Sequence, residues 1–216
     1  MVSGSIVDFA ASCTWYGQTA PLTAIYDGSF KNAGVDVQFQ PIGSSADRLL
    51  ALTSGSIGWT NTGQLATVGE MAKGNKTFYV VGVIDNDAGM EGVVAKPGIT
   101  SISDLKGKKV AVPLNSSAQV TLSLLLSDHG LKMSDIQVVN LAVSDIPTAF
   151  SRGQVDAYAA WDPVFTQAQK VVPGATVIGL NNQTQLFNKT KQVAAGDVLV
   201  MSRDLVDKNP KAAQAI

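Results

Sequence analysis

The chain is short of the residues that most often carry chemistry. Its 216 residues include one cysteine, Cys13, and one histidine, His129. A lone cysteine leaves no intrachain disulfide and no C-x-x-C metal site. A lone histidine excludes a histidine-rich metal site and leaves no second histidine for a triad. Charge is scarce as well. Charged residues make up 15% and the formal net charge is −1, so the broad basic surface that a nucleic-acid partner needs is absent. No apolar run reaches bilayer-spanning length. The opening residues Met1-Val2-Ser3-Gly4-Ser5 have neither the basic start nor the apolar stretch of a signal peptide. On that reading the chain is either cytoplasmic or a mature form whose leader has been removed. Ala10-Ala11-Ser12-Cys13 has the look of a lipid-attachment box, but without those two features it is not read as one.

What is present is apolar and periodic. Hydrophobic residues are 45% of the chain, which excludes disorder and allows a sizeable core in one large or two small domains. The stretch from Gly107 to Pro163 is the most informative. Val110 to Val112 read as a short buried strand stopped by Pro113. Asn115, Ser116 and Ser117 offer cap oxygens to a helix that runs to about His129, with Gly130 as its left-handed stop. Ala118, Leu122, Leu125 and Leu126 give that helix its core face.

The same strand–turn–helix unit recurs before it. Ile6 to Ala11 is a strand, followed by a loop through Trp15, Tyr16, Gly17 and Gln18. A helix with Leu22, Ile25, Tyr26 and Phe30 runs to Gly34. Val35 to Phe39 is the second strand, and Pro41 to Ser44 its turn. Ser44 with Asp47 reads as a capping box before a helix whose inner face is Ala46, Leu49, Leu50 and Thr53. Ile57 to Thr60 is the third strand, Asn61-Thr62-Gly63 its turn, and Leu65 to Ala72 a helix. Phe78 to Ile84 is a further strand. A second series has strands at Val110–Val112, Gln137–Leu141 and Val155–Ala159, with helices starting near Ser116, Ser144 and Asp162, and a last short strand at Val177–Leu180. Residues 181–191 read as a loop. The pattern predicts an α/β fold with largely parallel sheets. The segments Glu91–Lys96 and Gly196–Arg203 read as two adjacent short strands where the chain crosses between lobes. The expected division is 1–95 and 194–216 for the first lobe and 96–193 for the second.

In such a fold ligands collect at the carboxyl ends of the strands. Ser44, Thr62 and Ser116 all fall there. Each has an ordinary reading as a helix cap, but three similar turns in one chain favour a binding role. No arginine or lysine falls inside these turns, so the expected ligand is a weakly basic anion held by neutral donors and helix starts. Trp15 and Trp161 are expected to wall the site and Trp59 to be core. Asp162, before Pro163, reads first as a cap. Glu91 is the preferred acid for a ligand ammonium. Cys13 reads as a small buried hydrophobe, and His129 as a helix-end cation without a functional role.

The segments LLALTSGSIGW (49–59), SISDLKGKKVAVPLNSSA (101–118) and VNLAVSDIPTAFSRGQVDAYAAWDP (139–163) resemble the substrate-binding proteins of ABC importers, in the group that binds taurine, alkanesulfonates and nitrate. The resemblance covers the chain from about Trp15 to Ala213. It implies a type 2 periplasmic-binding-protein fold, two lobes joined by two crossing strands, with a small anionic or zwitterionic solute clamped between them. It also implies a periplasmic or extracytoplasmic location, delivery to a membrane permease, and no cofactor, metal or catalytic residue. The implied pocket residues are Trp15, Tyr16, Gln18, Gly43, Ser44, Asn61, Thr62, Gly63, Asn115, Ser116, Ser117, Trp161 and Asp162, with Glu91 and Asp197 at the hinge. Members of the group continue past the point matching Ile216, so a truncated form or fragment is expected, and an unfinished face could pair with a partner chain. The alternatives are a nitrate or other polar-solute binder, or an enzyme of the same fold, of the thiamine-pyrimidine precursor or small-acid dehydratase type. Catalysis there would fall to a carboxylate or Cys13.

Overall fold

The computed structural model describes residues 5–11 and 15–216; Cys13 lies outside them. The chain opens with β1 (Ser5–Ala11), α1 (Thr19–Tyr26), α2 (Ser29–Asn32), β2 (Val35–Pro41), α3 (Ser45–Thr53), β3 (Trp59–Gly63), α4 (Gln64–Ala72) and β4 (Phe78–Val83). It continues with β5 (Glu91–Ala95), β6 (Lys109–Val112), α5 (Ser117–Asp128), β7 (Gln137–Asn140), α6 (Ile146–Ser151), β8 (Ala157–Trp161), α7 (Val164–Val171), β9 (Thr176–Leu180) and α8 (Gln185–Thr190). β10 (Asp197–Ser202), α9 (Arg203–Lys208) and α10 (Pro210–Ala215) close it. No described helix is long and apolar enough to cross a membrane.

Two compact units result. The first holds residues 1–85 and 197–216, the second 86–196. Each is built on a five-stranded sheet, ordered β2-β1-β3-β10-β4 in the first and β7-β6-β8-β5-β9 in the second. The two orders are equivalent. In each, four strands share one direction and the fourth position is filled by a strand running against its neighbours, β10 beside β3 and β4, β5 beside β8 and β9. These are the strands on which the chain enters the second unit and returns to the first. Glu91–Ala95 therefore lies wholly in the second sheet, so the first unit ends at Asp85 and not at 95. The sequence pattern predicts β5 and β10 as adjacent strands, but they lie in different sheets and are not neighbours. The crossing segments are the ones that run side by side: Ile84 N–H donates to the Asp197 carbonyl and Asp197 N–H to Asp85 Oδ1, while the Asn86 side chain ties to Lys191 and Val193.

The cores follow from alternation along the strands. In the second unit Val93, Val110 and Val112 face Ala118, Leu122, Leu125 and Leu126 of α5. Val94, Ala111 and Tyr158, on the opposite face, meet Ile146 and Phe150 of α6 and Val164 and Phe165 of α7. In the first unit Phe9 stacks on Trp59 at 4.1 Å, beside Phe30 and Leu205. Ala10, Val198 and Val200 pack on Leu49 and Leu52 of α3 on the other face. Trp59 is thus core, at 3% exposure.

Four local expectations are corrected. The helix expected over 22–34 is two, broken at Gly28 with φ 80°. The inner face of α3 is Arg48, Leu49 and Leu52, while Leu50 is 67% exposed. Asn61-Thr62-Gly63 is no turn: it is the end of β3, held by pairing to β10 from Asp197↔Gly63 to Met201↔Trp59. Residues 181–191 contain α8, capped by the Thr184 hydroxyl accepting from Phe187 N–H.

Candidate functional site

Because β1, β2 and β3 run parallel, their carboxyl ends share one edge of the first sheet. β10 begins at that edge, with Asp197 opposite Gly63. Trp15, Tyr16, Gln18, Gly43, Ser44, Asn61, Thr62, Gly63 and Asp197 all follow or end these strands. Trp15 is half-buried with its indole folded over Gly17, whose missing side chain makes the room: a Cβ there would lie 1.9 Å from the ring. Tyr16 is 58% exposed. Gln18 turns inward, and its Nε2 donates to Asn61 Oδ1 at 2.7 Å. Ser44 is exposed and caps α3 by accepting from Asp47 N–H at 3.0 Å.

Three buried polar atoms on this edge lack a hydrogen-bond partner among the described residues: Gln18 Oε1, Asn61 Nδ2 and Thr62 Oγ1. If both amides are turned over, the Gln18–Asn61 bond survives reversed, and the pair still keeps one donor and one acceptor in hand. Buried polar groups in native proteins are nearly always paired, so these unpaired atoms, Gln18 and Asn61 on one face of β3 and Thr62 on the other, are informative.

A cation also reaches this edge, which the sequence reading did not foresee. Arg48 lies in the first turns of α3, 4% exposed. Its Nε donates to the Asn61 carbonyl at 2.9 Å, and Nη1 to the carbonyls of Ile42 and Gly43, both at 2.9 Å. Nη2 meets Ser45 Oγ at 3.1 Å, and that oxygen also accepts from Gly63 N–H. Burial pulls the guanidinium below its ordinary value, while the charges of Asp197 and Asp47 oppose that shift. The only sequence signal was an arginine one residue past a capping box, where an exposed side chain is the usual outcome.

The second unit repeats the arrangement. Asn115, Ser116 and Ser117 follow β6, Trp161 and Asp162 end β8, and Glu91 starts β5 opposite Trp161. Asn115 is exposed with φ 59°, which directs the chain into α5. The Ser116 hydroxyl donates to the Pro113 carbonyl at 2.6 Å and accepts from Gln119 N–H. Asp162 Oδ1 accepts from Thr166 N–H at 3.0 Å, from one residue before Pro163, which holds the N-cap position of α7 in place of the expected Asp162. Trp161 is half-buried against the α5 core. Glu91 is the exception to its expected role. It is 2% exposed, and its two carboxylate oxygens accept from the hydroxyls of Ser117 and Thr121. It fastens the first turns of α5 to β5, a long-range contact that an isolated acidic residue cannot announce. His129 caps the end of α5, with Nδ1 2.8 Å from the Leu125 carbonyl.

The description of the NMT1/THI5-like family matches residues 17–216. The chain belongs to that family. Among curated relatives, the taurine-binding periplasmic protein of Escherichia coli (strain K12) is 28% identical over 195 residues, 88% of this chain. The chain spans 57% of that relative's length and 59% of the Brucella abortus proteins it also matches. Two solved structures carry the same architecture. The periplasmic aliphatic sulphonate binding protein SsuA from Escherichia coli aligns with TM-score 0.76 and 25% identity, over 99% of this chain and 73% of its own. The alkanesulfonate-binding protein SsuA from Xanthomonas axonopodis pv. citri, bound to MOPS, aligns with TM-score 0.78 and 22% identity, over 98% and 70%. The family's fold is the type 2 periplasmic-binding-protein fold, and the equivalent strand orders of the two sheets are its expression here.

Proposed function

We propose that this chain is the solute-binding part of an ABC importer receptor and that it takes a small sulfonate, taurine or a close relative. One observation carries the reading: the unpaired polar atoms of Gln18, Asn61 and Thr62 at the carboxyl edge of the first sheet. A ligand with acceptor oxygens and a polar end would satisfy Gln18 and Asn61, which meet on one face of β3, while Thr62 offers its hydroxyl on the other. Gly43 and Ser44 flank the start of α3, where backbone N–H groups favour an anion. Asn115, Ser116 and Ser117 give the second unit a matching turn. Trp15 supplies an apolar wall at the first unit's edge, and Trp161 one at the end of β8 in the second unit. With Glu91 engaged inside its own unit, Asp197 becomes the nominee for a ligand ammonium.

Membership of the family and the names of the relatives support a periplasmic receptor that passes its solute to a permease. The test is isothermal titration of the purified chain with taurine, ethanesulfonate and nitrate. Saturable heat from a sulfonate is the expected result. Heat from nitrate alone reassigns the ligand, and no heat from any of the three overturns the reading.

A further inference from the structure

We propose that Arg48 is the positioning residue of the binding edge: its guanidinium fixes the peptide planes that present donors to the ligand. This rests on the reading above for the identity of the ligand but not for the geometry. Four bonds converge on one buried fork, from the carbonyls of Ile42, Gly43 and Asn61 and from Ser45 Oγ. They join the turn after β2, the first turn of α3 and the end of β3, which are separate segments of the edge. In a trans peptide the C=O and the following N–H point in opposite directions. Drawing the carbonyls of Ile42 and Gly43 onto Nη1 therefore turns the N–H groups of Gly43 and Ser44 away from the guanidinium. Gly43 and Ser44 are both exposed. Ser45 Oγ extends the same latch to Gly63 N–H.

The adjacent residues give a second, independent sign that this is a ligand edge. Asn61, whose carbonyl Arg48 holds, has an unpaired Nδ2, and Thr62 an unpaired hydroxyl, with both side chains at least 97% buried by their 3% and 0% exposure. Arg48 thus fixes the backbone of a residue whose Oδ1 accepts from Gln18 and whose Nδ2 still lacks a partner among the described residues. A lysine cannot do the same. Its single ammonium has three donors on one point and cannot span four acceptors lying around a planar fork.

The experiment compares the wild-type chain with Arg48→Lys and Arg48→Met, in two arms. Amide hydrogen exchange without ligand reads the geometry. Exchange at the hydrogen-bonded amides of Ile42 and Gly63 is expected to quicken by about ten-fold or more in both variants, with α5 unchanged as the internal control. Titration with taurine and ethanesulfonate reads the consequence. Affinity is expected to fall by about ten-fold or more in both variants, with no rescue by lysine. Unchanged exchange in Arg48→Lys overturns the proposal, as does quickened exchange with wild-type affinity. If the wild type binds neither probe, the sulfonate reading fails on its own, and the exchange arm alone decides for or against the latch.

Discussion

At the scale of single residues, the site is defined by groups whose hydrogen bonding is incomplete. Thr62 is the sharpest case: fully buried, with an unpaired hydroxyl. An unmade buried hydrogen bond costs stability, and removing the polar atom in an isosteric swap relieves that cost. Thr62→Val is therefore expected to leave the melting temperature unchanged or raise the stability by about 1 kcal/mol. The same change should weaken sulfonate binding by about ten-fold or more, read by titration. A clear loss of stability with unaltered binding would show that the hydroxyl is structural. That Ser44, Asn61 and Thr62 fall at the carboxyl ends of strands was legible beforehand from the apolar runs that precede them. Arg48 was not, because its burial depends on carbonyls that β3 and the turn after β2 bring to it.

At the scale of elements, the segments that pass between the units are tied by Asp85. Its Oδ1 accepts the N–H of Asp197, the first residue of β10. Burial raises its carboxyl above the ordinary value, and the Asp197 N–H offsets part of the shift. A carboxyl whose folded value is raised contributes stability that is fully present below its unfolded value and is lost as pH rises through the folded one. Ionised Asp85 is therefore a burden at neutral pH. Asp85→Asn keeps an acceptor for Asp197 and removes the charge. It should be more resistant to urea than the wild type at pH 7, with the gap closing as pH falls through the raised folded value and gone below about 4. Asp27 and Asp104, lowered by hydrogen bonds from Ser29 and from Thr100 and Ser101, work in the opposite sense. Both remain in the variant, so the difference isolates Asp85. A gap independent of pH would refute the assignment.

For the whole molecule, the division into units sets what can fold alone. The second unit is one continuous segment, 86–196, with its own sheet and a core on each face of it. The first is made of two segments joined through the β3–β10–β4 pairing. Residues 86–196 expressed alone are expected to unfold cooperatively in urea, with a stability of about 5 kcal/mol or more. Residues 1–85 alone lack β10 and should show no such transition, because β4 then has no neighbour in the sheet. Circular dichroism across a urea series distinguishes these outcomes, and a non-cooperative 86–196 would count against two self-sufficient cores.

Local pattern alone carried the α/β class, most of the element order and the stripes that become cores. Ala118, Leu122, Leu125 and Leu126 are all buried as their spacing demands, and Ser44 and Ser116 cap the helices they precede. These features rest on apolar period and on hydrogen bonds within a few residues. The packed fold settled the rest: β5 and β10 belong to different sheets, 61–63 is strand, Glu91 turns inward and Arg48 is buried. Those outcomes rest on hydrogen bonds across 13 residues for Arg48 and Asn61, 26 for Glu91 and Ser117, and 112 for Asp85 and Asp197. Partners that distant are chosen by the packed fold, and nothing local in the chain encodes them.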